Sequence, residues 1–360
     1  MIAIWQNPRN LLTIVTLVTR WYRDKSDNKC NMESAQSPPD WTFVTMFFSL
    51  EPYFKQRGVA SHISHMAKTV YMERFKALVD LNVQLVVYTD SEGRDAMVPL
   101  LKDASKVRFI ITPFQNLSFY KYIDQISDGR KGNSVYEGSR NIPEWAITVL
   151  SKFEAVTKAI EKDYFNSSMF CWIDFGFYRP DHDYVDYSVG ELRRQLYDIQ
   201  GNTFQPNELY VGVIDWVGRE RSDDLDTFHK YGGPCTVSSQ IFFGDKDVFA
   251  AILPIFVSTA EEHISKRVLH ADEQVLFYVL LKNPHLFNLF PTDYFCAPMD
   301  VLFPHKRYWV SIRLLVPNLL KDGRLNIAKH VIRQLLKSHD HNKIKLDSHV
   351  VNMYRRILCE

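Results

Sequence analysis

Three short runs constrain this chain more than anything else in it. They are Trp41–Leu50 (WTFVTMFFSL), Gln84–Thr89 (QLVVYT) and Met169–Asp174 (MFCWID). The first two are rich in β-branched and aromatic residues, and all three are nearly all apolar. Such a run reads as a strand covered on both faces, which is the habit of a parallel sheet. Between the first two, Met66–Leu81 has a helical rhythm, with Val70, Phe75, Leu78 and Val79 near one face and Asn82 ending it. Val107–Ile111 reads as a further strand, as do Leu209–Ile214 and Ser239–Phe243. Pro143–Lys162, Asp245–Thr259 and Ala271–Leu281 read as helices. In the first of these, Ser151, Ala155 and Ala159 pack closely, and Lys152, Lys158 and Lys162 mark the wetter side. Residues 115–143 are polar and contain Gly129, Gly132 and Gly138, which predicts a surface excursion. Strands alternating with helices predict an α/β fold with a mostly parallel sheet.

The 360 residues divide by texture. Residues 1–40 read as an N-terminal extension and linker, 41–305 as the α/β domain, and 306–360 as a basic helical C-terminal appendage. In that appendage RLNIAKHVIRQLLK carries helical periodicity. The net charge of +1 and the lack of a long basic stripe argue against a nucleic-acid partner. Five widely spaced cysteines with no CxxC pair argue against a disulfide framework or a thiolate zinc site, so reduced buried thiols are expected. The apolar run Leu11–Thr19 is too short to span a bilayer and reads as a short strand or a peripheral anchor. A cytoplasmic or membrane-peripheral protein is the expectation.

In an open α/β sheet, ligands bind beyond the carboxyl ends of the strands. QLVVYT delivers Asp90 there and MFCWI delivers Asp174. A carboxylate so placed can hold a ribose hydroxyl or a divalent metal; it can equally be a helix N-cap or a turn residue. Gly176 beside Asp174 allows close backbone approach to a ligand, and Arg179 is suited to phosphate. His270-Ala-Asp272-Glu273-Gln274 opens an apolar helix with an acidic pair. Helix dipole and capping explain one acid better than two, which leaves Asp272 and Glu273 as candidate catalytic residues. Gly232–Gly244 reads as a floor for a sugar or as a loop before an edge strand. His305, followed by two cations, is a candidate metal or phosphate ligand. The chain contains no GxGxxG after a strand, no GxxxxGK[ST], no GxSxG and no HExxH, so the usual support for nicotinamide, P-loop, hydrolase and zincin chemistry is missing.

In order and at fitting distances, LVVYTD, IPEWAITVLSKFEAVTKAI, WIDFGFYR and HADEQVLF resemble the HtrL/YibB family of bacterial proteins, which is similar to GT-A-type glycosyltransferases. The resemblance covers roughly residues 41–300. It implies a GT-A-like Rossmannoid αβα sandwich. It also implies a nucleotide-sugar donor, a glycan or lipid-linked saccharide as acceptor, and a divalent metal, manganese or magnesium, as cofactor. Carried over, Asp90 and Asp174 would face the donor, and Asp272, Glu273 and Gln274 look like the acidic-Gln motif beside the transferred sugar; the local reading adds Gly176 and Arg179 on the donor side. On the same resemblance Lys152 would reach the donor's phosphates; the local reading of the sequence adds His305 to Asp174 as candidate metal ligands. The family pattern is incomplete at Asp174-Phe-Gly176, where one carboxylate of the usual Asp-x-Asp pair is missing. Two alternatives remain: a binder of the same fold without turnover, and a nucleotidyltransferase using Lys55, Arg57 and Gly58 as a phosphate loop.

Overall fold

The structure is a computed structural model that describes residues 41–58, 68–131, 142–177, 205–213, 237–269, 271–291, 309–340 and 346–359. The extension 1–40, with its run 11–19, lies outside the described residues. Among these, seven strands form one sheet in the order β3-β2-β1-β4-β6-β5-β7. The strands β1 (Trp41–Phe47), β2 (Gln84–Thr89), β3 (Val107–Ile111) and β4 (Met169–Ile173) are parallel neighbours. The long β6 (Val237–Asp245) runs antiparallel to β4 and to β5 (Leu209–Val213), which pairs in parallel with β7 (Phe287–Pro291). The sheet is therefore mixed and mostly parallel. β7 carries no clear strand signature in sequence, since Asn288 interrupts its apolar residues and Pro291 ends it.

The helices are, in chain order, α1 (Glu51–Gln56), α2 (Lys68–Asp80), α3 (Ser91–Met97), α4 (Ile123–Arg130), α5 (Pro143–Leu150), α6 (Lys152–Lys162), α7 (Lys246–Ser265), α8 (Asp272–Lys282), α9 (Trp309–Lys321), α10 (Leu325–Asp340) and α11 (Ser348–Cys359). They cover both faces of the sheet. Side chains on a strand alternate between faces, so Phe43, Phe47, Cys171 and Ile173 pack with Phe75, Leu78 and Val79 of α2. Val44, Met46, Phe170 and Trp172 pack on the other side with α5, α6, α7 and α8. The result is an αβα sandwich. α7 is long and apolar enough to cross a membrane, but its Phe249, Ile252, Phe256 and Ala260 are spent inside this core.

The expected helix 143–162 is two helices. The two meet at Ser151, whose N–H is shared between the Ile147 and Thr148 carbonyls, the tightened last turn that closes a helix, while its hydroxyl donates to the Ile147 carbonyl at 2.8 Å. A fresh helix N-terminus therefore begins at Lys152. Ser151, Ala155 and Ala159 are buried as their small size suggests, but Lys152, read as wet, is buried as well.

Asn82 ends α2 in the left-handed region (φ 58°), a conformation asparagine tolerates. The polar stretch after 115 is more ordered than expected. Phe114, Leu117, Phe119 and Ile126 anchor short turns and α4 in the core, spaced singly among polar residues and so invisible to periodicity. The rest of that stretch, 132–141, lies outside the described residues. The C-terminal helices share the core of the sheet: α10 packs on β7, with Val331, Ile332 and Leu335 in the same apolar cluster as Val211 and Leu289. Cys171 is a buried thiol as expected, whereas Cys359, in the last turn of α11, is exposed.

Candidate functional site

The parallel strands β1, β2 and β4 end at one edge, and the chemistry-bearing residues collect there. Asp174 follows β4 directly. Its N–H donates to the Gln240 carbonyl at 2.8 Å, and its own carbonyl accepts from Phe177 at 2.9 Å, which closes a tight turn. The turn is anchored by Phe175, which enters an aromatic cage. Phe175 stacks on Phe47 (4.7 Å between centroids) and on Phe75 (5.2 Å, 4° between planes), with Tyr71 tilted at 6.1 Å. Gly176 packs tightly, since a Cβ there would come within 3.2 Å of Tyr71 and 3.3 Å of the Arg74 guanidinium and one of them would have to shift by a few tenths of an ångström. Tyr71, Arg74 and Phe75 thus belong to the site's support. In sequence the only signal for them is their place on the helix that precedes LVVYTD.

Because β6 is antiparallel, its beginning, not its end, reaches this edge, and it brings Ser239 beside Asp174. Phe153 locks α6 in place by stacking on Phe242 (4.6 Å) and packing on Phe256 (4.5 Å). That lock delivers the neighbouring Lys152. The Lys152 ammonium lies 3.0 Å from Asp174 Oδ1, 2.9 Å from Asp272 Oδ2, 3.0 Å from Ser239 Oγ and 3.1 Å from the Ser239 carbonyl. Asp174 Oδ1 also accepts the Trp172 indole N–H at 2.8 Å. Asp272 is the first residue of α8, with Glu273 next to it in the first turn.

Burial varies sharply within the cluster. Lys152, Asp272 and Gln274 are buried, Glu273 is half-buried, and Asp174 keeps 29% of its side chain exposed. Asp174 and Glu273 are the carboxyls positioned to touch a ligand, with Asp272 and Gln274 packed behind them. Burial would pull the Lys152 pKa down, but Asp174, Asp272 and Glu273 outweigh it and hold the ammonium charged, above its ordinary value. Burial pushes the Asp174 carboxyl up; Lys152 opposes the rise and Asp272 adds to it. Glu273 is raised to about 8, first by burial and then by the neighbouring Asp272 charge. A carboxyl poised there can pass a proton in either direction at neutral pH.

Asp90 sits at the end of β2, two strands from β4 and so on the order of 10 Å from Asp174 across the sheet. It is the N-cap of α3, with Oδ1 accepting from the Gly93 N–H at 2.7 Å. The cations of the α1 turn are engaged elsewhere. Lys55 pairs with Glu51 at 2.7 Å, and Arg57 is held by the buried Glu144 at 2.8 Å, which removes support for a phosphate loop at 55–58. Arg179, His270, His305 and the start of the Gly232–Gly244 segment lie outside the described residues.

The described residues do not fit a divalent ion at Asp174. No group of three or more histidine, cysteine, aspartate or glutamate side chains converges among them. Asp174 Oδ1 is already taken by an ammonium and an indole N–H. A hard dication needs several oxygen ligands, and this node supplies a competing cation instead.

Fold and site together define a Rossmann-like α/β protein with an acidic cluster at the carboxyl edge of its sheet. No protein-family model matches the chain, and no curated protein does. Among solved structures, it is similar to mouse xyloside xylosyltransferase 1 in its apo form, with 14% identity and a TM-score of 0.37 over 69% of this chain and 84% of that one. It is also similar to core-mannan synthase A from Aspergillus fumigatus in a Mn/GDP form, with 11% identity and a TM-score of 0.40 over 75% of this chain and 82% of that one. Likeness at that level transfers no residue roles, and the strand order above stands on its own.

Proposed function

We propose that this chain is a glycosyltransferase that moves a sugar from a nucleotide-sugar donor to a glycan or lipid-linked saccharide, working in the cytoplasm or against a membrane face. One observation carries the reading. Asp174 and Asp272 meet at Lys152 at the carboxyl edge of a mostly parallel sheet, and Glu273, next to Asp272 in the chain, is raised to about 8. Carboxyls of this kind suit sugar hydroxyls and a proton transfer to or from an acceptor hydroxyl. In this reading Asp174 receives hydroxyls of the donor sugar, and Glu273 handles the acceptor proton. Asp90 binds the nucleoside, and Asp272 orients Lys152. The motif resemblance to HtrL/YibB proteins supports the same class. No step of this reading is routed through a divalent ion.

Binding without turnover is the second reading. It is favoured by the burial of Asp272 and Gln274, which leaves few groups free to touch a sugar. The test is to incubate the purified chain with a panel of nucleotide-sugars, with and without manganese, and to measure released nucleoside diphosphate, with Asp174→Asn as control. Release from one donor, lost in the variant, supports transfer. No release, together with a melting shift from one donor, supports the binder. Release of pyrophosphate would assign a nucleotidyltransferase instead.

A further inference from the structure

We propose that Lys152 is a built-in bridging cation: its ammonium joins Asp174 to Asp272 where a divalent ion would otherwise join them, and it orients both carboxylates instead of holding the donor's phosphates. The clause about phosphates rests on the proposed sugar transfer; the bridge does not.

The coordination of the nitrogen carries this. An ammonium has three N–H donors. Four oxygens already surround Lys152 Nζ at 2.9–3.1 Å: one from Asp272, one from Asp174, and the hydroxyl and carbonyl of Ser239. Both Ser239 oxygens accept hydrogen bonds and both carboxylates ion-pair with the ammonium, which encloses the nitrogen in oxygens and leaves the side chain only 7% exposed to a phosphate. Its position points the same way. Lys152 is the first residue of α6, where the helix dipole repels a cation and burial penalises one. Two carboxylates offset both costs. The Trp172 ring, 5.7 Å away, adds a cation–π contact, and its N–H donates to the same Asp174 oxygen that the ammonium pairs with. The bridge also crosses the fold, tying the end of β4 to the start of α8. Lys152 is therefore a positioning residue. Losing it would leave two carboxylates facing a gap, which oxygen-seeking dications fill at roughly 2.0–2.6 Å.

The experiment is thermal unfolding of the full chain, in EDTA and in manganese chloride, for the wild type, K152M, K152M/D174N and K152M/D272N. In EDTA, K152M is expected to melt several degrees below wild type, and K152M/D272N above K152M, because one stranded carboxylate has gone. Manganese is expected to raise the melting temperature of K152M by several degrees more than that of wild type, and K152M/D174N is expected to lose that response. The proposal is overturned if K152M melts like wild type in EDTA, or if manganese raises wild type as much as K152M. It is also overturned if K152M/D174N keeps the response, or if neither K152M nor K152M/D272N folds. Failure of K152M alone to fold, with K152M/D272N folded, supports the bridge. Calorimetric affinity for UDP and GDP tests the phosphate clause. K152M/D272N should stay within about threefold of wild type, and a tenfold loss would overturn that clause. If wild type binds neither nucleotide, the glycosyltransferase reading fails, while the melting data still decide the bridge.

Discussion

Lys152 and Asp272 are each the first residue of a helix, and their side chains meet at 2.9 Å. Two helix N-termini thus face one point beyond β4. Each brings partial positive charge there, which suits Asp272 and Asp174 and explains how a net excess of carboxylates is tolerated in a largely buried place. Lys152 alone works against the dipole, and it persists through its two carboxylate partners. The cluster is one electrostatic unit, and altering any member is expected to move the others.

Asp90 caps α3 through Gly93, and asparagine caps as well as aspartate. Asp90→Ala should cost about 1 kcal/mol of stability, whereas Asp90→Asn should cost almost nothing. If Asp90 binds the nucleoside, both variants weaken nucleotide affinity by at least fivefold. Denaturant melts and calorimetry on the same two proteins separate the capping role from the binding role.

Glu273 carries its proton in the folded chain up to about pH 8, but in the unfolded chain it releases it near the ordinary carboxyl value of about 4.3. The folded state therefore binds more protons in between, and stability falls as pH rises across that window. The contribution is complete below about pH 4.3 and gone above about pH 8. Glu273→Gln should flatten this slope and melt above wild type at pH 8, as a melting series at stepped pH would show.

Gly93 leaves no room for a side chain, since a Cβ there would collide with the Thr89 hydroxyl. That hydroxyl is held by a 2.6 Å hydrogen bond to the Phe47 carbonyl and cannot swing away cheaply. Gly93→Ala should cost about 1–3 kcal/mol. Combined with Thr89→Ala, the loss should be smaller than the sum of the two single losses, because the clash is shared. Urea unfolding of the four proteins measures it.

Phe175 anchors the turn that aims Asp174, in contact with Phe47 and Phe75. Phe175→Ala should cost about 3–5 kcal/mol. Phe175→Leu should cost less and keep the chain folded at room temperature. If Asp174 works as proposed, the leucine variant should lower turnover with little change in nucleotide affinity, since the aim of the carboxylate is what loosens.

How much of this was legible before folding follows from which signals are local. The strands 41–47, 84–89 and 169–173 announced themselves as apolar runs, because a strand buried on both faces must be apolar throughout. The carboxylates ending two of them were visible for the same reason, as was the acidic pair opening α8. The break at Ser151 was hidden, since one N–H shared between two carbonyls leaves no periodic trace. β7 was hidden because pairing with β5 supplies what its short, interrupted sequence lacks. Sequence alone determined the alternation of strands and helices and delivered acids to the carboxyl edge, because periodicity and chain direction are properties of neighbours along the chain. Only the tertiary structure decided that Lys152 is buried and shared between Asp174 and Asp272, because the free energy of a buried charge depends on partners that different segments bring to it in space.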